Sequence, residues 1–339
     1  MCGFRATVSV TGVTDLPLVG DLQASAPPVG LALSRAGVTG VQKAIRIRRG
    51  EQEILMAADI DCTVDLAPNQ KGVHMSRFPE LFDEAIDTSV LGEGLLVEVL
   101  ADRIAAQIVE RQGAARAEVR IVARWPIRRR TPVTDLATQE MVSLIGIAAA
   151  TTTGSRRVVG VEATGINACP CAQGLVRGRA AERLAEAGYD GDEVDRILDL
   201  VPLATHNQRG RGTLLVGTTR ELDAEHLVTI VERSMSAPVY ELLKRPDELW
   251  VVEHAHLRPR FVEDSVRIAI RDLLEAETGL DDGDFVLSRQ VNFETIHVHD
   301  VVAERWGAVG ELRAELDGSP GGGAQTTLEA WLGGPPLSA

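Results

Sequence analysis

The sequence predicts an α+β fold built from two successive modules, each with the order strand, strand, helix, helix, strand, strand. Three observations support this prediction. Apolar and polar residues alternate in paired runs near both ends of each half, which is the spacing typical of strands. Between those runs, apolar residues recur at every third or fourth position, which is typical of helices. The two halves of the 339-residue chain follow the same order of patterns.

The first module is expected to occupy residues 1–150. Two alternating runs within residues 42–66 predict a pair of strands separated by a polar break. Helical spacing follows over residues 77–113. Alternation then returns over residues 115–133 and 140–154, and these runs predict the two closing strands.

The second module is expected to occupy residues 151–310 and to repeat this order. Its predicted elements are strands over residues 156–170 and 211–220, amphipathic helices over residues 222–235 and 260–277, and strand character over residues 284–304. A segment with helical spacing interrupts the first two strands at about residues 174–202, which predicts an inserted helical hairpin. Residues 311–339 are rich in glycine, proline and serine, and we expect a mobile tail without chemistry there.

The composition is that of a globular protein with a mainly aliphatic core, since 45% of residues are hydrophobic and only 4% aromatic. A formal net charge of −14 disfavours binding to nucleic acid or to an anionic membrane surface. No secretory signal or membrane-spanning run is visible, so we expect a cytoplasmic protein. The basic segments 43–50 and 124–130 either hold the phosphates of a small nucleotide or are solvated strand ends.

Cysteines and histidines cluster in short polar segments. Cys169 and Cys171 lie one residue apart, His206 follows the insertion, and four other histidines form the pairs His254 with His256 and His297 with His299. A thiolate, an imidazole and a carboxylate would bind Zn²⁺ or a related ion and leave a fourth position open for water. A nucleophilic or redox-active cysteine is the alternative.

The HVH pair, His297 and His299, is expected to share one face of a strand, with Glu294 on the other face unless a bulge intervenes. Imidazole groups exchange protons near physiological pH, so the pair is a candidate for acid and base catalysis. Polar decoration of an edge strand is the alternative.

Five segments stand in a fixed order along the chain: VDL with KGVHMSRF (64–66 and 71–78), CPCAQ (169–173), HNQRG (206–210), FVEDSVR (261–267) and NFETIHVH (292–299). In this order they resemble the signature blocks of GTP cyclohydrolase IB and its archaeal relatives. The blocks extend over most of residues 60–305.

The resemblance implies a bimodular tunnelling fold, with two ββααββ modules per chain and antiparallel sheets that carry helices on one face. It also implies a homo-oligomer, a tetramer, with active sites between subunits. The long insertion before HNQRG is similar to that of the archaeal branch.

The resemblance also implies roles for individual residues. The metal ligands would be Cys169, His206 and Glu248, which would hold Fe²⁺, Mn²⁺ or Zn²⁺. Glu263 would anchor the guanine edge, although the start of a helix also suits it to capping, and Glu294 is the alternative anchor. The other active-site residues would be Cys169, Glu294, His297 and His299, and the candidates for binding the rest of GTP are Lys71, His74, Arg77 and Arg209. His254 and His256 have no counterpart in this pattern.

The implied reaction is hydrolytic opening of the imidazole ring of GTP with release of formate. Its product would be 7,8-dihydroneopterin triphosphate or the corresponding 2′,3′-cyclic phosphate. A nitrile reductase-like enzyme and a non-catalytic purine- or pterin-binding protein of the same fold are the alternatives.

Overall fold

A computed structural model describes residues 23, 25–49, 52–89, 96–319 and 325–337 of the chain. The strands that it contains are β1 (Leu33–Arg49), β2 (Gln52–Leu66), β3 (Arg116–Arg130), β4 (Ala137–Thr151), β5 (Gly154–Ala168), β6 (Asn207–Gly217), β7 (Ala237–Pro238), β8 (Phe285–Asn292) and β9 (Val301–Ala308). The helices are α1 (Arg77–Ser89), α2 (Val97–Gln112), α3 (Pro170–Glu186), α4 (Gly191–Leu200), α5 (Ala224–Ser234), α6 (Arg245–Leu257), α7 (Val262–Ala276), α8 (Val309–Leu316) and α9 (Leu328–Leu332).

The strands form one antiparallel sheet in the order β1, β2, β3, β4, β5, β6, β8, β9, with the short β7 paired to β5. In each half, two helices that pack on the sheet separate the second strand from the third: α1 and α2 in the first half, α5 and α7 in the second. The predicted α+β class with two ββααββ modules is therefore confirmed. The boundary near residue 150 stays a prediction, since β4 and β5 join the halves in one continuous sheet.

The main core lies between the sheet and the four packing helices. Helix α2 turns Leu100, Ile104 and Ile108 inwards, and none of the three side chains is more than 1% exposed. Its first turn approaches β4 so closely that a Cβ on Gly146 would lie 2.5 Å from the Val97 carbonyl oxygen. Only glycine allows this contact, because the obstacle is backbone that cannot rotate away. Within the described part of the chain, no helix is both long and apolar enough to cross a bilayer.

The inserted hairpin consists of α3 and α4, which run along each other outside the sheet. Helix α3 has no buried residue, whereas α4 buries Val194 and Leu198. The cap of α4 is a reciprocal capping box between Asp190 and Glu193. The hairpin is thus a protruding addition to the second module.

The C-terminal segment differs from the mobile tail expected over residues 311–339. Within its described part, Trp331 of α9 is only 3% exposed and packs on Phe285, with ring centroids 5.7 Å apart. Its indole Nε1 donates to the Gly283 carbonyl at 2.9 Å. A tail rich in glycine and proline therefore still carries an apolar anchor, which covers the sheet face away from the main helices.

The strand character expected over residues 284–304 is interrupted. Strand β8 ends at Asn292, residues 293–300 form a loop, and β9 begins at Val301. The alternating segment IHVH was misleading, because its apolar members Ile296 and Val298 are both exposed and no buried face supports pairing.

A buried carboxylate fastens the start of α6 to the β3–β4 turn. Asp247 is 0% exposed and accepts hydrogen bonds from the backbone N–H groups of Val133 and Thr134, each at 2.9 Å, and from Lys244 N–H at 3.0 Å. The Thr134 hydroxyl adds a fourth bond at 2.6 Å. Burial raises the pKa of Asp247, but these hydrogen bonds outweigh it and hold the pKa well below its usual range.

We expect Asp247→Asn to lower the melting temperature by several degrees at pH 7, because the amide group turns a donor towards the Lys244 N–H. A depressed folded pKa stabilises the protein above the unfolded value of about 3.9 and loses that contribution as the pH falls through the folded pKa. The difference in thermal unfolding between wild type and variant should therefore shrink in acid. The neighbouring exposed Glu248→Gln is the control, and an equal loss in both variants would contradict the clamp.

Candidate active site

A cavity of about 230 Å³ opens where β5 and β8 end and β6 begins. Its walls combine sulfur, imidazole, carboxylate, amide and guanidinium groups. The lining residues are Cys169, His206, Gln208, Arg260, Phe261, Val262, Glu263, Asn292, Glu294, His297 and Val301. Five residues predicted for the site, Cys169, His206, Glu263, Glu294 and His297, thus meet in one cavity.

Cys169 and His206 are neighbours because β5 and β6 pair up to Ala168 and Asn207. One more backbone bond, from Cys169 N–H to the His206 carbonyl at 3.1 Å, extends this pairing. Cys169 also caps α3, and its Sγ accepts a bond from Ala172 N–H at 3.5 Å. The sulfur therefore lies at the positive end of the α3 dipole.

The imidazole of His206 is oriented by its neighbour on the same strand. Its Nδ1 lies 3.0 Å from the side-chain oxygen of Gln208. An amide oxygen can only accept, so Nδ1 carries a proton, and in the neutral ring Nε2 then has the lone pair. This tautomer suits a metal ligand or a general base.

Glu294 reaches the cavity because the β8–β9 loop is tied back to β6. Phe293 N–H donates to the Arg209 carbonyl at 2.9 Å, and the Thr295 hydroxyl donates to the Asn207 carbonyl at 3.2 Å. The Glu294 side chain is only 7% exposed, and its Oε2 lies 3.8 Å from His206 Nδ1. That oxygen is buried without a hydrogen-bond partner. A buried carboxylate oxygen of this kind is available for a cation or a donor group.

Glu263 lies in the first turn of α7. Of its two possible roles, helix capping and guanine binding, the structure tests the first. The capping bond is made by Asp264, whose carboxylate accepts from Phe261 N–H at 3.0 Å. Asp264 also faces Arg267 at 3.3 Å. No described residue forms a hydrogen bond or ion pair with the Glu263 carboxylate. The cap role therefore belongs to Asp264, and Glu263 is left facing the cavity.

Buried polar side chains support the inner end of the cavity. The Asn167 amide donates to Asn292 Oδ1 at 2.9 Å and to the Ser265 hydroxyl at 3.2 Å. Its own oxygen accepts from Ser236 N–H at 3.1 Å. Gln290 donates to the same Asn292 oxygen at 3.1 Å. A buried network that is satisfied in this way holds its members rigidly.

The two histidines of the HVH segment have different positions. His297 lines the cavity, whereas His299 does not and stacks on His297 with ring centroids 5.2 Å apart. Both are exposed on the loop, so the two side chains are neighbours as predicted, but the prediction that they lie on a strand is wrong. Because the loop replaces a strand, Glu294 and His297 face the same cavity rather than opposite sides of a sheet.

Several predicted residues lie elsewhere in the chain. Glu248 is exposed in the first turn of α6 and does not line the cavity. Arg209 follows the buried Gln208 on β6, is exposed and does not line the cavity. The remaining three, Lys71, His74 and Arg77, lie just before or at the start of α1 in the first module. Among described residues, no group of three or more His, Cys, Asp or Glu is placed to hold a metal.

The cavity also contains residues that the sequence did not single out. Arg260 lines it, and its guanidinium donates to the Arg233 carbonyl at 2.6 Å. Burial lowers the pKa of Arg260, and the nearby Arg258 adds to this effect. Gln208 and Asn292 lie inside the quoted blocks HNQRG and NFETIHVH, so their positions, although not their roles, were visible in the sequence.

His254 and His256 do not line this cavity. His254 stacks on Trp250 with ring centroids 4.2 Å apart, and His256 Nδ1 lies 2.7 Å from the Val252 carbonyl. The basic segment 43–50 reaches beyond the described residues at Gly50, and its Lys43 pairs with Asp83.

The comparison with protein families decides which family the chain belongs to. The model described as "Type I GTP cyclohydrolase folE2" matches residues 19–303. The chain belongs to this family. It is therefore an enzyme, a GTP cyclohydrolase, and not a non-catalytic binding protein of the same fold.

This cyclohydrolase aligns with curated relatives over nearly the whole length of those relatives. "GTP cyclohydrolase MptA" of Methanococcus aeolicus is 41% identical over 305 residues, 87% of this chain and 99% of the relative. The protein of the same name from Methanosarcina acetivorans is 39% identical over 308 residues, 88% of this chain and 97% of the relative. Among solved structures, uricase from Arthrobacter globiformis has a TM-score of 0.47 and 9% identity, covering 80% of this chain and 92% of that one.

Substitution of each of the two carboxylates at the start of α7, Glu263 and Asp264, should have a different effect. We expect Glu263→Gln to leave the melting temperature of this cyclohydrolase within about a degree of wild type, because no hydrogen bond or ion pair with a described residue is lost, and to reduce turnover by orders of magnitude. Asp264→Asn should lower the melting temperature, because it weakens the cap of α7. Thermal unfolding and steady-state kinetics test both. Unchanged turnover in Glu263→Gln would move the guanine anchor to Glu294.

Proposed function

We propose that this enzyme opens the imidazole ring of GTP by hydrolysis and releases formate, giving 7,8-dihydroneopterin triphosphate or its 2′,3′-cyclic phosphate. The observation that carries the proposal is the convergence of Cys169, His206, Glu263, Glu294 and His297 on one cavity. Ring opening needs an activated water, a purine anchor and groups that transfer protons. These five side chains are of the types that those roles require.

The proposal includes a divalent metal, Fe²⁺, Mn²⁺ or Zn²⁺, at Cys169 and His206. The sulfur at the start of α3 and the oriented imidazole of His206 suit such an ion, and a carboxylate would complete the set. Glu294 offers a buried oxygen without a partner in the same cavity. Glu248, assigned by the resemblance, would have to be contributed by another copy of the chain. When bound, the metal would lower the pKa of a coordinated water towards neutrality.

The other side chains would position the purine and move protons. The Glu263 carboxylate can accept two hydrogen bonds from the N1–H and 2-amino groups of guanine, because no described residue forms a hydrogen bond or ion pair with it. His297 would exchange protons with the imidazole ring nitrogens and the departing formyl group from the open side of the cavity. Arg260 places a cation against the anionic substrate in the same wall.

A homo-oligomer, a tetramer in the simplest case, would complete the site. Lys71, His74 and Arg77 belong to the first module and do not line the cavity of their own chain. If they bind GTP, they must approach the cavity from another copy. Arg209, which lies outside the cavity on β6, would likewise meet the substrate only at such an interface.

Incubation with GTP and Fe²⁺, Mn²⁺ or Zn²⁺ without oxygen should yield one formate per GTP, measured together with mass spectrometry of the product. Release of pyrophosphate would identify the cyclic phosphate, and a retained triphosphate the linear product. We expect Cys169→Ala and His206→Ala to lose both turnover and bound metal, the latter measured by elemental analysis of the purified protein.

Matched variants serve as controls for the metal assignment. Cys171→Ala removes the exposed cysteine two residues along α3 and should keep metal and activity. A comparison of Glu294→Gln with Glu248→Gln by metal content shows which carboxylate is the third ligand. Full metal content in both Cys169→Ala and His206→Ala would exclude a metal centre at this cavity.

Mixing of inactive variants should test the shared site. We expect Lys71→Ala/Arg77→Ala and Cys169→Ala to be inactive alone, and co-expression to restore about one quarter of wild-type activity, since random pairing leaves that fraction of sites intact. Co-expression of Cys169→Ala with His206→Ala is the control and should restore none, because both residues lie on one side of the site. Absence of recovery in the first mixture would place each site within one chain.

A further inference from the structure

A second cavity, of about 540 Å³, lies beside the candidate active site and has no role in the reaction described so far. Five arginines line it: Arg128, Arg129 and Arg130 at the end of β3, Arg233 at the end of α5, and Arg258 after α6. The first three belong to the basic segment 124–130. In a protein with a net charge of −14, such a local concentration of guanidinium groups requires an explanation.

Most of this positive charge is not neutralised by carboxylates of the described residues. Arg129 pairs with the largely buried Glu232 at 2.7 Å, and Arg130 pairs with Asp135 at 2.7 Å. Arg128, Arg233 and Arg258 form no ion pair with any carboxylate in the described part of the chain. Three guanidinium groups around one cavity are therefore available to an anion from outside.

Arg258 contacts the side chain of His254, which is not a carboxylate and does not neutralise the guanidinium charge. The Arg258 guanidinium lies 3.1 Å from His254 Nε2. Arginine can only donate, so Nε2 must accept and the imidazole is neutral. Burial lowers the pKa of His254, and the charges of Arg258 and Arg260 lower it further.

The remaining acid in the cavity, Glu140, does not offset the arginines either. Its Oε1 is buried without a hydrogen-bond partner. Burial is the main cause that raises the pKa of Glu140 to about 7, and repulsion from Glu232 is the second cause. Near neutral pH a large fraction of this carboxyl group is therefore protonated, and in that form it can donate to an anion.

We propose that this cavity binds a polyphosphate through Arg128, Arg233 and Arg258. Guanidinium groups match phosphate oxygens in geometry as well as in charge, and several of them favour an extended polyanion over a single carboxylate. The two cavities have different lining residues, but one hydrogen bond connects their linings, and this connection suggests one source of the ligand. Arg260 lines the first cavity, and its guanidinium is bonded to the backbone of Arg233, which lines the second.

Two sources share this chemistry, the triphosphate tail of GTP and a free polyphosphate. The GTP source rests on the function proposed above, whereas the anion site does not. A binding measurement without GTP therefore tests the site even if the proposed reaction is wrong.

The test is calorimetric titration of the purified full-length protein with inorganic triphosphate. We expect saturable binding that weakens with salt, and a loss of about a hundredfold in affinity in Arg233→Gln/Arg258→Gln. Arg128→Gln alone should lose about tenfold. The control is Arg196→Gln/Arg245→Gln, which makes the same change of net charge at exposed arginines outside the cavity and should bind like wild type. No binding to the folded wild type, or equal loss in the control, would overturn the proposal.

Steady-state kinetics with GTP then separate the two sources. If the triphosphate tail occupies the cavity, Arg233→Gln/Arg258→Gln raises the KM for GTP, and inorganic triphosphate competes with GTP. If the ligand is a free polyphosphate, the KM stays unchanged and no competition is seen. Melting temperatures of all variants confirm that the comparison is made between folded proteins.

Discussion

The pairing of β5 with β6 is the constraint on which the rest of the site depends. Cys169 and His206 are far apart in sequence, yet the antiparallel register continues to the last residues of both strands and brings them to the same end of the sheet. That end also receives Asn292 from β8. Cys169, His206 and Asn292 thus lie at strand ends, whose positions are held by ladders of backbone hydrogen bonds rather than by flexible side chains.

Electrostatics in this enzyme are local rather than global. The protein as a whole is acidic, and its long-range field repels phosphate. The two cavities nevertheless contain four arginines, Arg128, Arg233, Arg258 and Arg260, that form no ion pair with a carboxylate among the described residues. A substrate with several negative charges can therefore be accepted at short range while long nucleic acids remain disfavoured.

Sequence reasoning identified the order of elements and five of the eleven residues that line the cavity, since strand and helix periodicities are strong and the signature blocks are short and polar. It failed where tertiary context decides. The HVH alternation is that of a strand, but its apolar residues are exposed and the segment is a loop. In the pair Asp247 and Glu248, the sequence could not show which carboxylate is buried. The arginine cavity draws on β3, α5 and the residue after α6, so only the fold brings its members together.

The helical hairpin α3–α4 begins and ends at positions that the sheet already holds together. The hairpin is therefore a closed loop whose ends are pinned by strand pairing, and the entropic cost of lengthening such a loop grows only with the logarithm of its length, by about 0.6 kcal/mol for each doubling. Because α3 buries no side chain, few contacts oppose such a change. A whole domain could therefore be inserted between Cys169 and His206, where it would lie beside the candidate active-site cavity without altering the spacing of the residues that line this cavity.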